Sequence, residues 1–248
     1  MITKEDLISA LQVAEPLFDK VQDLYRKMPD TRCDCEEPGV CCKFLPEMTT
    51  LEALGWIRLL LELSDKELTE KLRKFVEFYF MNPVRLSGCP FLEEGGCTAY
   101  ESRTFGCRAY GLWSQKLGNM RPRESRKEKK ALRQMWKRFG IELPADIIEF
   151  ELDYCDKVET LSDSPPSDDD LMELLQQVYD MDASLKELQE KFENEYHSDF
   201  SLLMAALTLG MKKALLEKFA VVKEIVQNGT DTRLQKTLNT ISSEVLRP

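Results

Sequence analysis

The sequence predicts a mainly α-helical protein, a helical bundle that carries a small irregular cysteine-rich metal-binding region containing a short β-hairpin. Three observations predict it. Apolar residues recur at steps of three and four over most of the chain, the signature of amphipathic helices. Between Asn82 and Met120 that periodicity stops, broken by Pro83, Gly88, Pro90, Gly95, Gly96, Gly106, Gly111 and Gly118, residues that make turns and interrupt helices. Seven of the 8 cysteines gather in the first part of the chain, Cys89, Cys97 and Cys107 in that stretch and Cys33, Cys35, Cys41 and Cys42 ahead of the two helices that precede it, and Cys155 stands apart.

The helices follow in order. Leu7, Leu11, Ala14, Leu17, Val21 and Leu24 form the stripe of a helix from about Lys4 to Met28, which Pro16 should bend or split. A second helix covers roughly Leu51 to Leu63. Ser64 opens a third through a capping box with Glu67, and Leu68, Leu72, Phe75, Val76 and Tyr79 give it a packing face. In the glycine-rich stretch, Cys89-Pro90-Phe91-Leu92 and Cys97-Thr98-Ala99-Tyr100 read as two short strands around Glu93-Glu94-Gly95-Gly96, a hairpin with a cysteine at each base. A tight turn through Glu101 to Gly106 should return Cys107 toward the same point.

Helices resume beyond Glu124 and end near Gly140, and Pro144 suits the first turn of another reaching about Thr160, with Cys155 inside it. Ser162 to Ser167, with Pro165 and Pro166, reads as a linker. It divides the chain into residues 1–160, the cysteine-cluster domain with flanking helices, and 161–248, a C-terminal helical region packing on it. There, helices are expected from Asp168 to Tyr179, from Leu185 to Tyr196 with a Ser184–Glu187 capping box, from Ser198 to Gln227, and from Arg233 to Leu246. Asn228-Gly229 is a stop signal.

A hydrophobic content of 43% in 248 residues builds a core without cross-links. The cysteines are not needed as staples. The charged start Met1-Ile2-Thr3-Lys4-Glu5-Asp6-Leu7 lacks the apolar run of a secretory signal, and no stretch approaches a membrane span. A cytoplasmic location and no membrane partner are expected. In that compartment clustered thiols point to metal ligation before disulfides. The net charge of −10 argues against nucleic acid as a partner. Its distribution is uneven, with Arg121, Arg123, Arg126, Lys127, Lys129, Lys130, Arg133, Lys137 and Arg138 followed by an acidic run from Asp146 to Asp170. Two solvated helices pairing their charges explain this, and an acidic peptide or protein partner is the other reading.

His197 is the only histidine, and its place at a predicted helix boundary makes it a surface or capping residue. Histidine-rich zinc and facial-triad iron sites are therefore excluded, and so is an ordinary Ser-His or Cys-His pair away from His197. Sulfur ligation, helped by carboxylates such as Asp34, Glu36 or Glu101, selects an iron–sulfur cluster or zinc as the cofactor. Neither the Cys-x2-Cys knuckles of zinc ribbons, nor the ferredoxin run, nor the three-cysteine loop of radical enzymes is present. Spacing alone leaves the metal open.

Four short blocks carry a resemblance: Gly39-Val40-Cys41-Cys42, Cys89-Pro90-Phe91-Leu92, Cys97-Thr98-Ala99-Tyr100-Glu101-Ser102-Arg103 and Cys107-Arg108-Ala109-Tyr110. In order and wording they resemble the YkgJ-type cysteine-cluster family, described as a zinc- or iron-chelating domain, over about Cys33 to Tyr110. The leading block here is Cys-x-Cys-x5-Cys-Cys, where the family has Cys-x2-Cys-x2-Cys-Cys. The flagellin lysine methylases share a similar cysteine domain, so the resemblance also implies an iron–sulfur cluster and, more remotely, protein-lysine methylation.

Three functions follow as expectations. The first is a metal-binding protein whose ligands are Cys33, Cys35, Cys41, Cys42, Cys89, Cys97 and Cys107. The second is a metal-dependent enzyme acting on a protein or peptide, with Arg103 and Arg108 holding an anionic group and Tyr100 and Tyr110 shaping the walls. The third is an adaptor whose metal is purely structural, with the basic Arg121 to Arg138 segment as its contact.

Overall fold

The structure, a computed structural model, describes residues 1–35, 39–94, 96–152, 154–161 and 165–247, without the side chains of 121–126. Glu36, Gly95 and the Ser162–Ser164 part of the expected linker lie outside the described residues, as do the side chains of Arg121, Arg123 and Arg126.

Helix α1 (Lys4–Tyr25) opens on a capping box in which Asp6 N donates to Thr3 Oγ1 and Thr3 N to Asp6. Its buried stripe is Leu7, Ala10, Ala14, Phe18, Val21 and Leu24. Pro16 does not split this helix, which runs on through it. Pro16 and Gln12, whose carbonyl a proline cannot bond, both lie on the exposed face, where solvent can reach that carbonyl. Strand β1 (Thr31–Cys33) follows, then a single 3-10 turn at Val40–Lys43.

Helix α2 (Thr50–Leu61) starts on a Thr49–Glu52 capping box, and α3 (Asp65–Met81) on the expected Ser64–Glu67 box. Helix α3 is the central strut. Leu68, Leu72, Phe75, Val76 and Phe80 are fully covered, and almost every residue of its last two turns is buried, as befits a helix packed on several sides.

The chain then turns repeatedly through the hairpin of β2 (Leu92–Glu93) and β3 (Gly96–Cys97), in which Leu92 pairs with Cys97, and the one-turn helices α4 (Phe105–Arg108) and α5 (Gln115–Gly118). Both the hairpin and the absence of any longer helix agree with the sequence. Helix α6 (Met120–Arg138) carries the basic segment and is followed by a short α7 (Ala145–Glu149).

The helix expected from Pro144 to Thr160 is corrected. Between Glu149 and Val158 the described residues form no helix, and β4 (Val158–Thr160) follows, antiparallel to β1 with Cys33 opposite Val158. Cys155 is therefore in an irregular segment. Up to Thr160 the described part of the acidic segment is helical only over Ala145–Glu149, and the basic helix meets nearby groups instead of a long acidic helix: Arg133 reaches Glu142 at 2.8 Å just beyond its own end, Lys129 donates to the Phe150 carbonyl, and Glu151 favours the charged form of Lys129.

In the C-terminal part, α8 (Asp168–Asp182) and α9 (Lys186–Tyr196) are joined by a 3-10 turn, and Ser184 bonds back to the Met181 carbonyl instead of forming the expected box with Glu187. His197 caps the end of α9 in the left-handed region, with φ 52°. The single helix expected from Ser198 to Gln227 is two, α10 (Phe200–Leu209) and α11 (Met211–Asn228), separated at Gly210. Gly229 stops α11 as expected. The last expected helix shortens to α12 (Thr232–Leu238) followed by a 3-10 turn at Ser243–Val245.

One apolar core takes residues from Ile2 to Leu246, so helices on both sides of position 160 fill the same interior, with α10, α11 and α12 all against α3. The ends are tied in as well: Ile2 N donates to the Tyr196 hydroxyl at 3.0 Å, and Arg247 reaches Asp65 at 2.9 Å and the Leu61 carbonyl. A second small core of Trp136, Ile141, Leu143 and Val222 docks α6 on α11, with Trp136 stacked on Phe219. Among the described residues no helix is long and apolar enough to cross a membrane.

Candidate metal centre

The cysteine loops are fixed to the bundle from below by four rings. Phe91, beside Cys89-Pro90, packs edge-on against Trp56 of α2 at 4.9 Å and Phe75 of α3 at 5.3 Å, and Phe200 of α10 closes the set. Such edge-to-face contacts add to an already large burial. The Trp56 indole donates to the Ser102 carbonyl at 2.8 Å, pinning the second loop.

Two buried charges complete the attachment. Lys71 of α3 sends its ammonium to the Pro90 carbonyl, Thr98 Oγ1 and Glu93, so one side chain holds both sides of the hairpin. Glu52 of α2 accepts from Thr49 N at 2.9 Å, from the Tyr25 hydroxyl and from Phe105 N. That last bond places a carboxylate at the start of α4, the turn that carries Cys107. Neither residue was singled out in the sequence; the Thr49-x-x-Glu52 spacing is a signal that would have found Glu52.

Cys41 and Cys42 sit in the 3-10 turn after Gly39. Gly39 has φ 85°, and a Cβ there would stand 2.9 Å from Leu92 Cδ2, so glycine allows both the turn and the close approach of the hairpin. Cys89 N donates to the Cys42 carbonyl at 2.7 Å, joining the first two blocks. The carbonyls of Cys89 and Cys97 each close a turn, accepting from Leu92 N and Tyr100 N. Cys107 lies inside α4 with its amide on the Thr104 carbonyl.

The thiols of these four blocks act on one another. The Cys42 thiol donates to Cys41 and, against burial, draws the Cys41 pKa down to about 6; Arg103 assists. Cys42 is pushed up by holding that proton, by burial, and by the nearness of Cys41, Cys89 and Cys107. The adjacent pair therefore shares one proton and one negative charge. Burial pushes Cys89 up to about 12, with Cys107 and Cys97 adding to it. Cys107 is raised by burial, opposed by its bond to Thr104, with Cys97 and Glu52 raising it further. These are half-buried thiols whose ionised forms disfavour one another, the situation that a cation among them would reverse.

Cys33 and Cys35 behave differently. Their sulfurs are joined to each other, with Cα atoms 5.7 Å apart, at the exposed end of the β1–β4 ribbon. Cys155 is half-buried near Gly111: a Cβ on Gly111, whose φ is 83°, would lie 3.5 Å from Cys155 Cβ. Among the described residues, no three Cys, His, Asp or Glu side chains converge closely enough to hold an ion as they stand. The chemistry of the donor set, all sulfur and mutually repelled, suits a thiophilic metal.

Arg103 and Arg108 hold the Tyr100–Arg108 turn. Arg103 lies over the Tyr100 ring at 3.6 Å and donates from Nε to the Tyr100 carbonyl. Arg108 lies over the Tyr25 ring at 5.0 Å and donates to the Arg103 and Glu101 carbonyls. With Tyr100 they line a cleft of about 730 Å³ between this turn, α1 and α2. Tyr110 is half-buried and outside that lining. Tyr25 and Arg58, which also line it, carry no sequence signal for this role.

Compared with protein families, curated proteins and solved structures, the chain matches none.

Proposed function

We propose that the protein binds a thiophilic metal, as an iron–sulfur cluster or zinc, through Cys41, Cys42, Cys89, Cys97 and Cys107. The observation that carries this reading is that the cysteine blocks meet: Cys89 N donates to the Cys42 carbonyl at 2.7 Å, and Leu92, three residues beyond Cys89, pairs with Cys97 across the hairpin. The neighbouring thiols add to the rise in pKa that the Cys41 bond and burial cause at Cys42 and that burial causes at Cys89. The anchoring of the second, third and fourth blocks by Phe91, Lys71, Glu52 and Trp56, with the first block bonded to the second through Cys89 N, supports it, since ligand loops need rigid support to reach a common point.

Ligation requires the buried thiols to lose their protons and the side chains to turn inward, so metal uptake releases protons. Cys33 and Cys35 become available as further ligands only when the bond between their sulfurs is reduced. Anaerobic purification followed by metal analysis and absorption spectroscopy tests the proposal. Stoichiometric iron with sulfide-to-iron absorption, or stoichiometric zinc in a colourless protein, is the expected result; a protein with no bound metal after reconstitution with either sinks it.

A further inference from the structure

We infer that the cleft between α1, α2 and the Tyr100–Arg108 turn is a binding site for a small oxyanion-bearing molecule, its carboxylate or phosphate held by Arg103 and Arg108. The inference stands whether or not the cysteines bind metal. At about 730 Å³ the cleft has the size of a small-molecule site.

Its chemistry is set by two guanidinium groups that form no ion pair among the described residues. Each is fixed in place twice, by an aromatic ring beneath it and by carbonyls that take its Nε proton. No carboxylate lies within ion-pair distance of either among the described residues. The other lining arginines are matched: Arg58 reaches Glu15 at 3.5 Å and Glu62 at 3.7 Å, and Arg26 pairs with Asp23.

The two cations are held together, Arg108 Nε donating to the Arg103 carbonyl at 2.9 Å. The exposed Glu101 beside them makes no ion pair with either, so two half-buried like charges cost free energy that an oxyanion between them would recover. The lining acids nearest the arginines do not pair with them: Glu52 already accepts from Tyr25, Phe105 and Thr49, and Glu101 is exposed.

The test uses the full chain and three probes: inorganic phosphate, pyrophosphate and citrate. Calorimetric titration should show saturable binding of at least one, and Arg103→Gln and Arg108→Gln should each weaken it about tenfold or more, the worth of a charge-assisted contact. Preference for phosphate and pyrophosphate over citrate assigns a phosphate ligand, and the reverse assigns a carboxylate. A measurement on the unaltered chain guards against misfolded variants: phenylglyoxal modification mapped by mass spectrometry, with Arg103 and Arg108 protected by the bound probe and Arg138 not. Absence of saturable binding by all three probes, unchanged affinity in both folded variants, or absence of protection overturns the inference. Metal content measured alongside separates the two claims, because the variants should keep their metal while losing the anion.

Discussion

Lys71 Nζ of α3 lies 2.8 Å from Glu93 Oε1 at the tip side of the hairpin, and the same ammonium bonds the Pro90 carbonyl at 3.1 Å and Thr98 Oγ1 at 3.2 Å. The two partners are unequal: the Lys71 side chain is 11% exposed and that of Glu93 43%. Lys71→Met should cost about 2–3 kcal/mol, because it leaves a buried carbonyl and hydroxyl short of a donor. Glu93→Gln should cost less than about 1 kcal/mol, as expected of a partly solvated ion pair that also has Lys74 on the other side. Urea unfolding of the two variants checks this, and equal costs would show that the ion pair, not the backbone attachment, carries the energy.

Asp182 makes a second long-range attachment, from α8 to the start of α2, accepting from Thr50 N at 2.8 Å and Leu51 N at 2.9 Å while fully buried. Burial outweighs those two bonds and raises its pKa from 3.8 to about 6. The folded state then binds this proton more tightly than the unfolded chain, so stability is greatest below about pH 4 for this group and falls as pH rises toward 6. Two pKa units correspond to at most about 3 kcal/mol. In Asp182→Asn that pH dependence should vanish, so the difference between wild type and variant should shrink across pH 4 to 6 and stay constant above it. Unfolding midpoints measured through this window decide it.

Gly39 and Gly96 both have positive φ, at 85° and 116°, but differ in surroundings. A Cβ at Gly39 meets Leu92 at 2.9 Å, and one at Gly96 meets nothing within 4 Å. Gly39→Ala should therefore add a steric shift of the hairpin to the backbone strain of about 1–2 kcal/mol that both positions share. The larger loss at Gly39, together with a loss of metal uptake, is the expected outcome. Equal thermal shifts would show that the approach of Leu92 does not matter.

What the sequence made legible depended on how local the cause was. Ser64 and Glu67 lie within one turn of each other, and Leu92 and Cys97 flank a short turn, so capping box and hairpin could both be read. The β1–β4 ribbon joins Thr31–Cys33 to Val158–Thr160, far apart in the chain, and nothing in either triplet announces its partner. That non-local pairing is why residues 150–160 were expected as helix and why Cys155 was placed wrongly. Gly210 was hidden by the apolar run from Leu202 to Val222, since one glycine costs a helix only about 1 kcal/mol and does not by itself mark a break. The cysteine blocks were legible as a group, but Lys71 and Glu52, which hold them, looked like ordinary surface charges on helices.

The last prediction separates the thiols. If Cys41, Cys42, Cys89, Cys97 and Cys107 ligate the metal, a serine at any of them removes a ligand from a group already brought together, and metal content should fall severalfold or vanish. Cys155→Ser should leave it unchanged, because Cys155 lies against Gly111 and none of the shifted cysteines responds to it. Cys33→Ser and Cys35→Ser should matter only in protein prepared under reducing conditions, where the bond between their sulfurs is open. Bound metal also stabilises the fold by mass action, about 2.7 kcal/mol at a hundredfold excess over Kd. For a chain of this size that is a Tm shift of roughly 5–10 °C, so a strong chelator should lower the Tm of the wild type by that amount and leave that of Cys107→Ser where it is. A wild-type Tm indifferent to chelator, in protein shown to hold metal beforehand and to lose it, would separate the metal from the fold and place the ligands at the surface instead.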